Sequence, residues 1–158
     1  MAKTGRSEQF AAAMSLFSKD PSYSPKWLLE NYPWDTIATG TIVDVGGSNG
    51  EYSIPIAQKF SKTRCIIQDL PEVIQQVDPS FLNDRVTFMV HDFFTPQPVV
   101  GADVYLLRWI LHDWSDKYAA RILKALVPAL REGSKIVLHE YILPEPGESP
   151  TVQDRTLR

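Results

Sequence analysis

The sequence predicts a doubly wound α/β domain, in which a mainly parallel five-stranded sheet of order 3-2-1-4-5 carries helices on both faces. Two observations predict this fold. Short apolar runs alternate along the chain with helical segments, a pattern that requires crossover connections between parallel strands. The runs are also continuously apolar, as in strands that are covered on both faces. Right-handed crossovers then place ligand-binding residues after the carboxyl ends of the strands.

The predicted strands are short runs rich in apolar and β-branched residues. They cover residues 41–45, 64–69, 85–90, 102–107 and 135–140. The first run ends in Gly46-Gly47, which indicates a tight turn into the next helix.

Helical spacing of apolar residues, together with start and stop signals, predicts the helices between these strands. They cover residues 7–17, 25–32, 51–60, 71–77 and 115–130. Ser24 and Ser115 stand where N-cap residues are expected, and Pro25 falls in a first helical turn. We therefore divide the chain into amino-terminal helices (1–34), an α/β core (35–148) and a short tail (149–158).

Composition excludes several classes of protein. The chain has 158 residues, of which 44% are hydrophobic and 22% charged, so one domain can bury a core. A net charge of −3 argues against a nucleic-acid partner, and the single cysteine excludes an internal disulfide. No run reaches the ~18 apolar residues of a membrane helix. The first residues lack the apolar stretch of a signal peptide, so we expect a cytoplasmic location.

The turn after the first strand and the acid after the second strand point together to a nucleoside cofactor. Gly46, Gly47 and Gly50 allow a ligand to approach the backbone at the start of a helix. Asp69 ends the second strand about twenty residues later, where a ribose hydroxyl lies in nucleoside-binding α/β folds. Taken singly, the turn has a purely structural interpretation, and Asp69 could instead cap the helix that begins at Pro71.

Asp92 and Phe93 follow the third strand. A carboxylate followed by an aromatic ring could bind and stack on an adenine. A loop turn with Phe93 and Phe94 packed in the core is the alternative.

Arg108, His112 and Glu140 follow the fourth and fifth strands. Arg108 could pair with a ligand carboxylate, and His112 is suited to general-base catalysis because its ordinary pKa lies near neutral pH. Since the fourth and fifth strands are neighbours, Glu140 could orient the His112 imidazole. A structural histidine is the alternative.

The three histidines each precede an acid, at residues 91, 112 and 139, which suggests a metal site. In the order 3-2-1-4-5, the third strand lies three spacings, or roughly 14 Å, from the fourth. Metal–nitrogen bonds are ~2 Å long, so we expect no shared metal.

The motifs now carry a resemblance to a known family. Five segments resemble those of the caffeate-type small-molecule O-methyltransferases, and more narrowly their fungal secondary-metabolite relatives. They are V-D-V-G-G-S-N-G (43–50), Q-D-L-P (68–71), H-D-F-F (91–94), L-R-W-I-L-H-D-W-S-D (107–116) and E-Y-I-L-P (140–144).

The resemblance implies a class I S-adenosyl-L-methionine-dependent methyltransferase domain with a Rossmann-like core. It also implies a set of cofactor contacts: the methionine moiety along Gly46, Gly47 and Gly50, the ribose at Asp69 beside Leu70, the adenine between Asp92 and Phe93, and a basic contact at Arg108. His112 would deprotonate the acceptor hydroxyl, and Glu140 would hold His112.

The family has an amino-terminal helical domain and further carboxyl-terminal strands, so this sequence is expected to be truncated at both ends. The fifth strand would then be an open edge, and we expect a second copy or a complementing chain to cover it.

The expected activity is methylation of a small aromatic or polyketide-type natural product. The alternatives are a repurposed enzyme catalysing a pericyclic, isomerase, dehydratase or lyase step, with the cofactor vestigial, and an inactive partner subunit.

Overall fold

The computed structural model describes residues 21–75 and 84–140 of the chain. The predicted helix over 7–17, the end of the helix predicted over 71–77 and the tail over 149–158 lie outside these residues. Within the described part, no helix has both the length and the apolar character that a membrane crossing requires.

The predicted sheet is confirmed. Its five strands are all parallel and lie in the order β3-β2-β1-β4-β5. They are β1 (Thr41–Val45), β2 (Arg64–Asp69), β3 (Val86–Val90), β4 (Val104–Arg108) and β5 (Lys135–His139). Because β1 lies between β2 and β4, the loops after these three strands meet at the centre of one sheet edge.

Both faces of the sheet are covered, as the continuous apolar runs predict. Alternate residues of β1 divide between two cores: Ile42 packs with residues of the first two helices, and Val43 packs with the helix after β4. Both side chains are fully buried. A doubly wound sheet requires this arrangement, because each helix layer needs its own apolar face.

The helices in the described residues are α1 (Pro25–Asn31), α2 (Ile54–Lys59), α3 (Pro71–Ile74) and α4 (Asp116–Leu126). Ser24 caps α1, since its Oγ accepts the N–H of Lys26 at 3.3 Å. Ser115 is the N-cap residue of α4, although its side chain makes no capping hydrogen bond.

All four described helices are shorter than predicted: α1 ends one residue early, α3 ends at Ile74 with Gln75 already in a turn, and α2 and α4 differ most. α2 begins at Ile54 instead of residue 51, because residues 51–53 continue the turn that Gly50 opens with a φ of +77°. α4 ends at Leu126 and continues as a 3₁₀ turn over Val127–Ala129. Pro128 lies in that turn, and a proline lacks the N–H that another α-helical hydrogen bond needs.

Candidate active site

The turn between β1 and α2 packs tightly against Asp44 and Ile110. Gly46 has a φ of +71°, and a Cβ at this position would lie 2.6 Å from Cδ1 of Ile110. A Cβ on Gly47 would lie 2.5 Å from the carboxyl carbon of Asp44. Ser48 also takes the left-handed conformation, with a φ of +51°. The turn therefore needs glycine at positions 46 and 47. Its Ser48 is exposed to solvent.

Asp69 is bound to this turn. Its Oδ2 accepts the N–H of Ser48 at 2.9 Å, and its Oδ1 accepts the N–H of Leu70 at 2.8 Å. Asp69 is not the N-cap of the following helix, because the N-cap residue of α3 is Leu70. Each carboxylate oxygen can accept a second hydrogen bond, so Asp69 can both fix the turn and bind a hydroxyl.

Asp44 is a buried acid beneath the glycine turn that the sequence did not single out. It lies inside β1, with only 2% of its surface exposed. Burial is the largest influence and raises the pKa of the Asp44 carboxyl to about 6, against the lowering effects of Ser53 and Arg108. In the sequence Asp44 is only an acid within an apolar strand, which does not indicate that its side chain is buried beneath the turn.

Aromatic rings gather beside Asp92. Its Oδ1 accepts the N–H of Phe94 at 2.9 Å. Trp114 packs edge-on against Phe93 and Phe94, with ring centroids 6.0 and 4.7 Å apart. Phe93 and Phe94 are half-buried and contact the core on the α4 side. The structure therefore shows the packed loop turn, and binding of an adenine by Asp92 and Phe93 stays a prediction.

A reciprocal amide pair holds the loop that carries Asp92. The Nε2 atoms of Gln68 and Gln97 each donate to the other's Oε1 at 2.8 Å, and both side chains are buried. The Gln97 N–H also donates to the carbonyl of Ala125 at 3.0 Å. This pair connects β2, the loop after β3 and α4. Sequence reasoning missed it because glutamine is usually a surface residue.

Arg108 ends β4 in contact with two aromatic rings. Its Cζ lies 3.5 Å from the ring centroid of Tyr52 and 3.6 Å from that of Trp109. Its Nη2 also donates to the Tyr52 hydroxyl. Burial lowers the pKa of the Arg108 guanidinium, which still remains far above neutral pH. A cation is therefore held at the edge of the site.

His112 and Glu140 are paired on the connections that follow β4 and β5. Nδ1 of His112 lies 2.8 Å from Oε2 of Glu140. The other oxygen of the same carboxylate accepts the N–H groups of Ile110 at 3.0 Å and Leu111 at 2.8 Å. On the far side of the ring, Nε2 lies 3.3 Å from Oδ1 of Asp113. The imidazole is 45% exposed, so a ligand can reach the ring, with Nδ1 fixed by Glu140 and Nε2 facing the Asp113 carboxylate.

The other two histidines are not brought to His112 as metal ligands. Among the described residues, no group of three or more His, Cys, Asp or Glu side chains could hold a metal ion. Burial lowers the pKa of both His91 and His139. Nδ1 of His139 is buried and has no hydrogen-bond partner within the described part of the chain.

The fold and these loops define an α/β domain with a glycine turn held by the acid after β2, and with a histidine–carboxylate pair on the connections after β4 and β5. The family model for the O-methyltransferase domain matches residues 2–156. The chain belongs to this O-methyltransferase family.

Curated relatives are fungal O-methyltransferases. The chain is 46% identical over 158 residues to the grayanic acid biosynthesis cluster O-methyltransferase of Cladonia grayi, covering 97% of this chain and 35% of that protein. It is 37% identical over 160 residues to the chlorophenol O-methyltransferase of Trichoderma longibrachiatum, covering 97% and 34%. The chain thus spans about a third of the length of the curated relatives it matches.

Solved structures include proteins of two activities. LepI in complex with SAM matches with a TM-score of 0.64 and 38% identity, over 75% of this chain and 32% of that one. A structure described as a pericyclic reaction enzyme matches with a TM-score of 0.68 and 31% identity, over 85% and 40%. The mitomycin 7-O-methyltransferase MmcR matches with a TM-score of 0.82 and 26% identity, over 99% and 44%.

Proposed function

We propose that the protein transfers a methyl group from S-adenosyl-L-methionine to a hydroxyl of a small aromatic or polyketide-type natural product, with His112 as the general base. The observation that carries the proposal is the half-exposed His112 imidazole, fixed by Glu140. A general base needs one nitrogen held and the other accessible to the acceptor, so the proposal requires the exposed Asp113 carboxylate to move away from Nε2 when the acceptor binds. The names of the two fungal relatives support the substrate class, because one acts on a chlorophenol.

The residues present fit the cofactor. A Cβ on Gly46 or Gly47 would clash with Ile110 or Asp44, so glycine lets the turn pack closely on the sheet, and the exposed Ser48 leaves the outer side of the turn accessible to a ligand. Asp69 keeps acceptor capacity for ribose hydroxyls, and the open face of the aromatic cluster suits a flat base. The proposed contacts are Gly46, Gly47 and Gly50 for the methionine moiety, Asp69 and Leu70 for the ribose, Asp92 and Phe93 for the adenine, and Arg108 as the basic contact. When bound, this cofactor supplies an electrophilic methyl group.

The chain's own contribution is proton removal and orientation. Glu140 accepts a hydrogen bond from Nδ1–H of His112, so Nε2 carries the lone pair that takes the proton of the acceptor hydroxyl once the acceptor displaces Asp113 from it. The two backbone N–H groups on Glu140 prevent its carboxylate from rotating away. Removing the hydroxyl proton makes the acceptor oxygen nucleophilic, and holding it in line with the methyl group lowers the entropic cost of attack.

Titration calorimetry with S-adenosyl-L-methionine and a methyl-transfer assay with a panel of phenols test the proposal. We expect His112→Ala to bind the cofactor as the wild type does and to lose at least about a hundredfold in turnover. His91→Ala is the matched control, because His91 lies after β3, outside the pair. An absence of cofactor binding by the wild type, or full turnover by the His112 variant, contradicts the proposal.

The solved pericyclic enzyme favours a second candidate, a rearrangement of a natural product without methylation. Arg108, His112 and Asp113 would then serve as hydrogen-bond donors and bases toward a polycyclic substrate. Isotope-labelled cofactor separates the two functions. The labelled methyl group enters the product of a methyltransferase, whereas a rearrangement leaves the mass of the substrate unchanged.

We also propose that another chain, a second copy or a complementing one, covers the outer edge of β5. Within the described residues β5 pairs with β4 alone, and Leu138 on it is 48% exposed. An open apolar edge favours strand pairing with another chain. Light scattering that shows a clean monomer contradicts this part of the proposal. A cytoplasmic location stays a prediction, which cell fractionation tests.

A further inference from the structure

We infer that Tyr52 is a positioning residue for Arg108, and that its hydroxyl fixes the guanidinium for an anionic group of the ligand. The inference rests on the proposed function insofar as that ligand is the cofactor. Tyr52 belongs to none of the motifs that carry the family resemblance, since it lies in the turn between Gly50 and α2.

The Tyr52 hydroxyl both accepts and donates a hydrogen bond. It accepts a hydrogen bond from Nη2 of Arg108 and donates one to the carbonyl oxygen of Tyr23. A phenol has one proton to donate, so the bond to Tyr23 orients the oxygen lone pairs toward Arg108. Burial raises the pKa of the Tyr52 hydroxyl above its ordinary value of 10.0, so the group stays protonated at neutral pH.

Two aromatic rings, those of Tyr52 and Trp109, contact the Arg108 guanidinium. Cζ of Arg108 lies 3.5 Å from the Tyr52 centroid and 3.6 Å from the Trp109 centroid. Trp109 in turn packs edge-on against Tyr23, with centroids 4.9 Å apart. Each of these residues contacts the next, which connects the 3₁₀ turn Pro21–Tyr23 with the end of β4. The residues are Tyr23, Tyr52, Arg108 and Trp109. The two rings limit the positions open to the guanidinium, and among the described residues the Tyr52 hydroxyl is the acceptor that holds its rotation.

The guanidinium keeps donors for a ligand. Its Nε is buried and has no hydrogen-bond partner within the described residues, and one Nη2 proton is taken by Tyr52. The remaining N–H groups of the two Nη atoms can bind an anion such as a carboxylate. Because paired N–H···O bonds depend on the angle of the fork, a freely rotating guanidinium binds such a group less well.

Tyr52→Phe removes the hydroxyl and retains both ring contacts, so it separates positioning from packing. We expect the affinity for S-adenosyl-L-homocysteine, measured by titration calorimetry, to fall about tenfold. In an Arg108→Met background the same change is expected to have no further effect, because Tyr52 acts through Arg108. An equal loss in both backgrounds, or no loss in the wild-type background, overturns the inference.

Tyr105→Phe is the matched control. Tyr105 is also buried, and its hydroxyl lies 2.8 and 2.9 Å from two carbonyl oxygens that share its one proton, but its side chain packs on the α4 side of the sheet. We expect this variant to unfold at a lower temperature and to bind the cofactor product with unchanged affinity. An affinity loss equal to that of Tyr52→Phe would show that general destabilisation explains both, and would overturn the inference.

A measurement without ligand keeps the inference separate from the proposed function. NMR of the Arg108 Nη protons reports rotation of the guanidinium. We expect hindered rotation in the wild type and in Tyr105→Phe, and fast rotation in Tyr52→Phe. If the wild type binds no cofactor but shows this pattern, the proposed function fails and the positioning role stands. If all three proteins rotate alike, the positioning role fails whatever the calorimetry shows.

Discussion

Nδ1 of His112 lies 2.8 Å from one oxygen of Glu140, while the other oxygen accepts the N–H groups of Ile110 and Leu111. One carboxylate from the end of β5 therefore fixes both the imidazole and the backbone that carries it. Under the proposed function this pairing would orient the base, as general acid–base catalysis requires.

Glu140→Gln should reverse the tautomer of His112. The two backbone N–H groups would retain the amide oxygen, so the amide NH₂ would face Nδ1 and the imidazole proton would move to Nε2. We expect turnover to fall by at least about a hundredfold with cofactor affinity unchanged, as measured by single-turnover kinetics and calorimetry. Glu132→Gln, at an exposed glutamate, is the control; equal turnover in both variants would refute the assignment.

Asp69→Asn should weaken cofactor binding through the glycine turn. The carboxylate accepts an N–H on each oxygen, from Ser48 and from Leu70, and an amide can accept only one of them. We expect a loss of about tenfold in cofactor affinity and about 1–2 kcal/mol in the free energy of unfolding. Asp35→Asn, at an exposed acid of a 3₁₀ turn, should change neither quantity.

Gly47→Ala should be more destabilising than Gly133→Ala. A Cβ on Gly47 would lie 2.5 Å from the Asp44 carboxyl carbon, whereas a Cβ on Gly133 would meet nothing within 4 Å. Gly133 has a φ of +84°, so alanine there lowers the free energy of unfolding only through the strain of a left-handed backbone, by about 1 kcal/mol. We expect about 3 kcal/mol for Gly47→Ala by chemical denaturation. Equal losses would show that the turn relaxes without cost.

The stability of the wild type should fall relative to Asp44→Asn as the pH rises from 4 to 7. Burial raises the pKa of Asp44 from 3.8 to about 6, so the folded state binds the proton more tightly than the unfolded state between these values. Its stabilising contribution is present below pH 4 and is lost as the pH passes through 6. A shift of about two units corresponds to about 3 kcal/mol.

Urea denaturation of both proteins at a series of pH values measures this difference. The asparagine variant lacks the titrating group, so subtracting its curve removes the contribution of every other acid. Parallel curves for the two proteins would show that Asp44 keeps its ordinary pKa in the folded state.

Sequence periodicity determined the sheet well, because strands covered on both faces are continuously apolar and their connections obey a fixed handedness. The proximity of His112 and Glu140 could be anticipated for the same reason, since each follows one of two neighbouring strands. The end of α4 was less predictable, because Val127–Ala129 retains helical hydrogen bonding in a tighter 3₁₀ form that the apolar spacing does not distinguish.

The contacts that sequence reasoning missed depend on tertiary packing. Asp44 looks like an ordinary polar interruption of a strand, yet it is buried beneath the glycine turn. Tyr52 and Gln97 stand in turns without a pattern, and their partners lie 56 and 29 residues away in the chain. Propensity and period describe local structure, so hydrogen bonds over such separations appear only once the sheet order is known.

Trp109 has a left-handed backbone, with a φ of +55°, between the residue that stacks on Tyr52 and the turn that carries His112. Arg108 on one side of it contacts Tyr52, and His112 on the other side pairs with Glu140. A substitution at either contact therefore leaves the residues of the other in place, so the two can be altered one at a time.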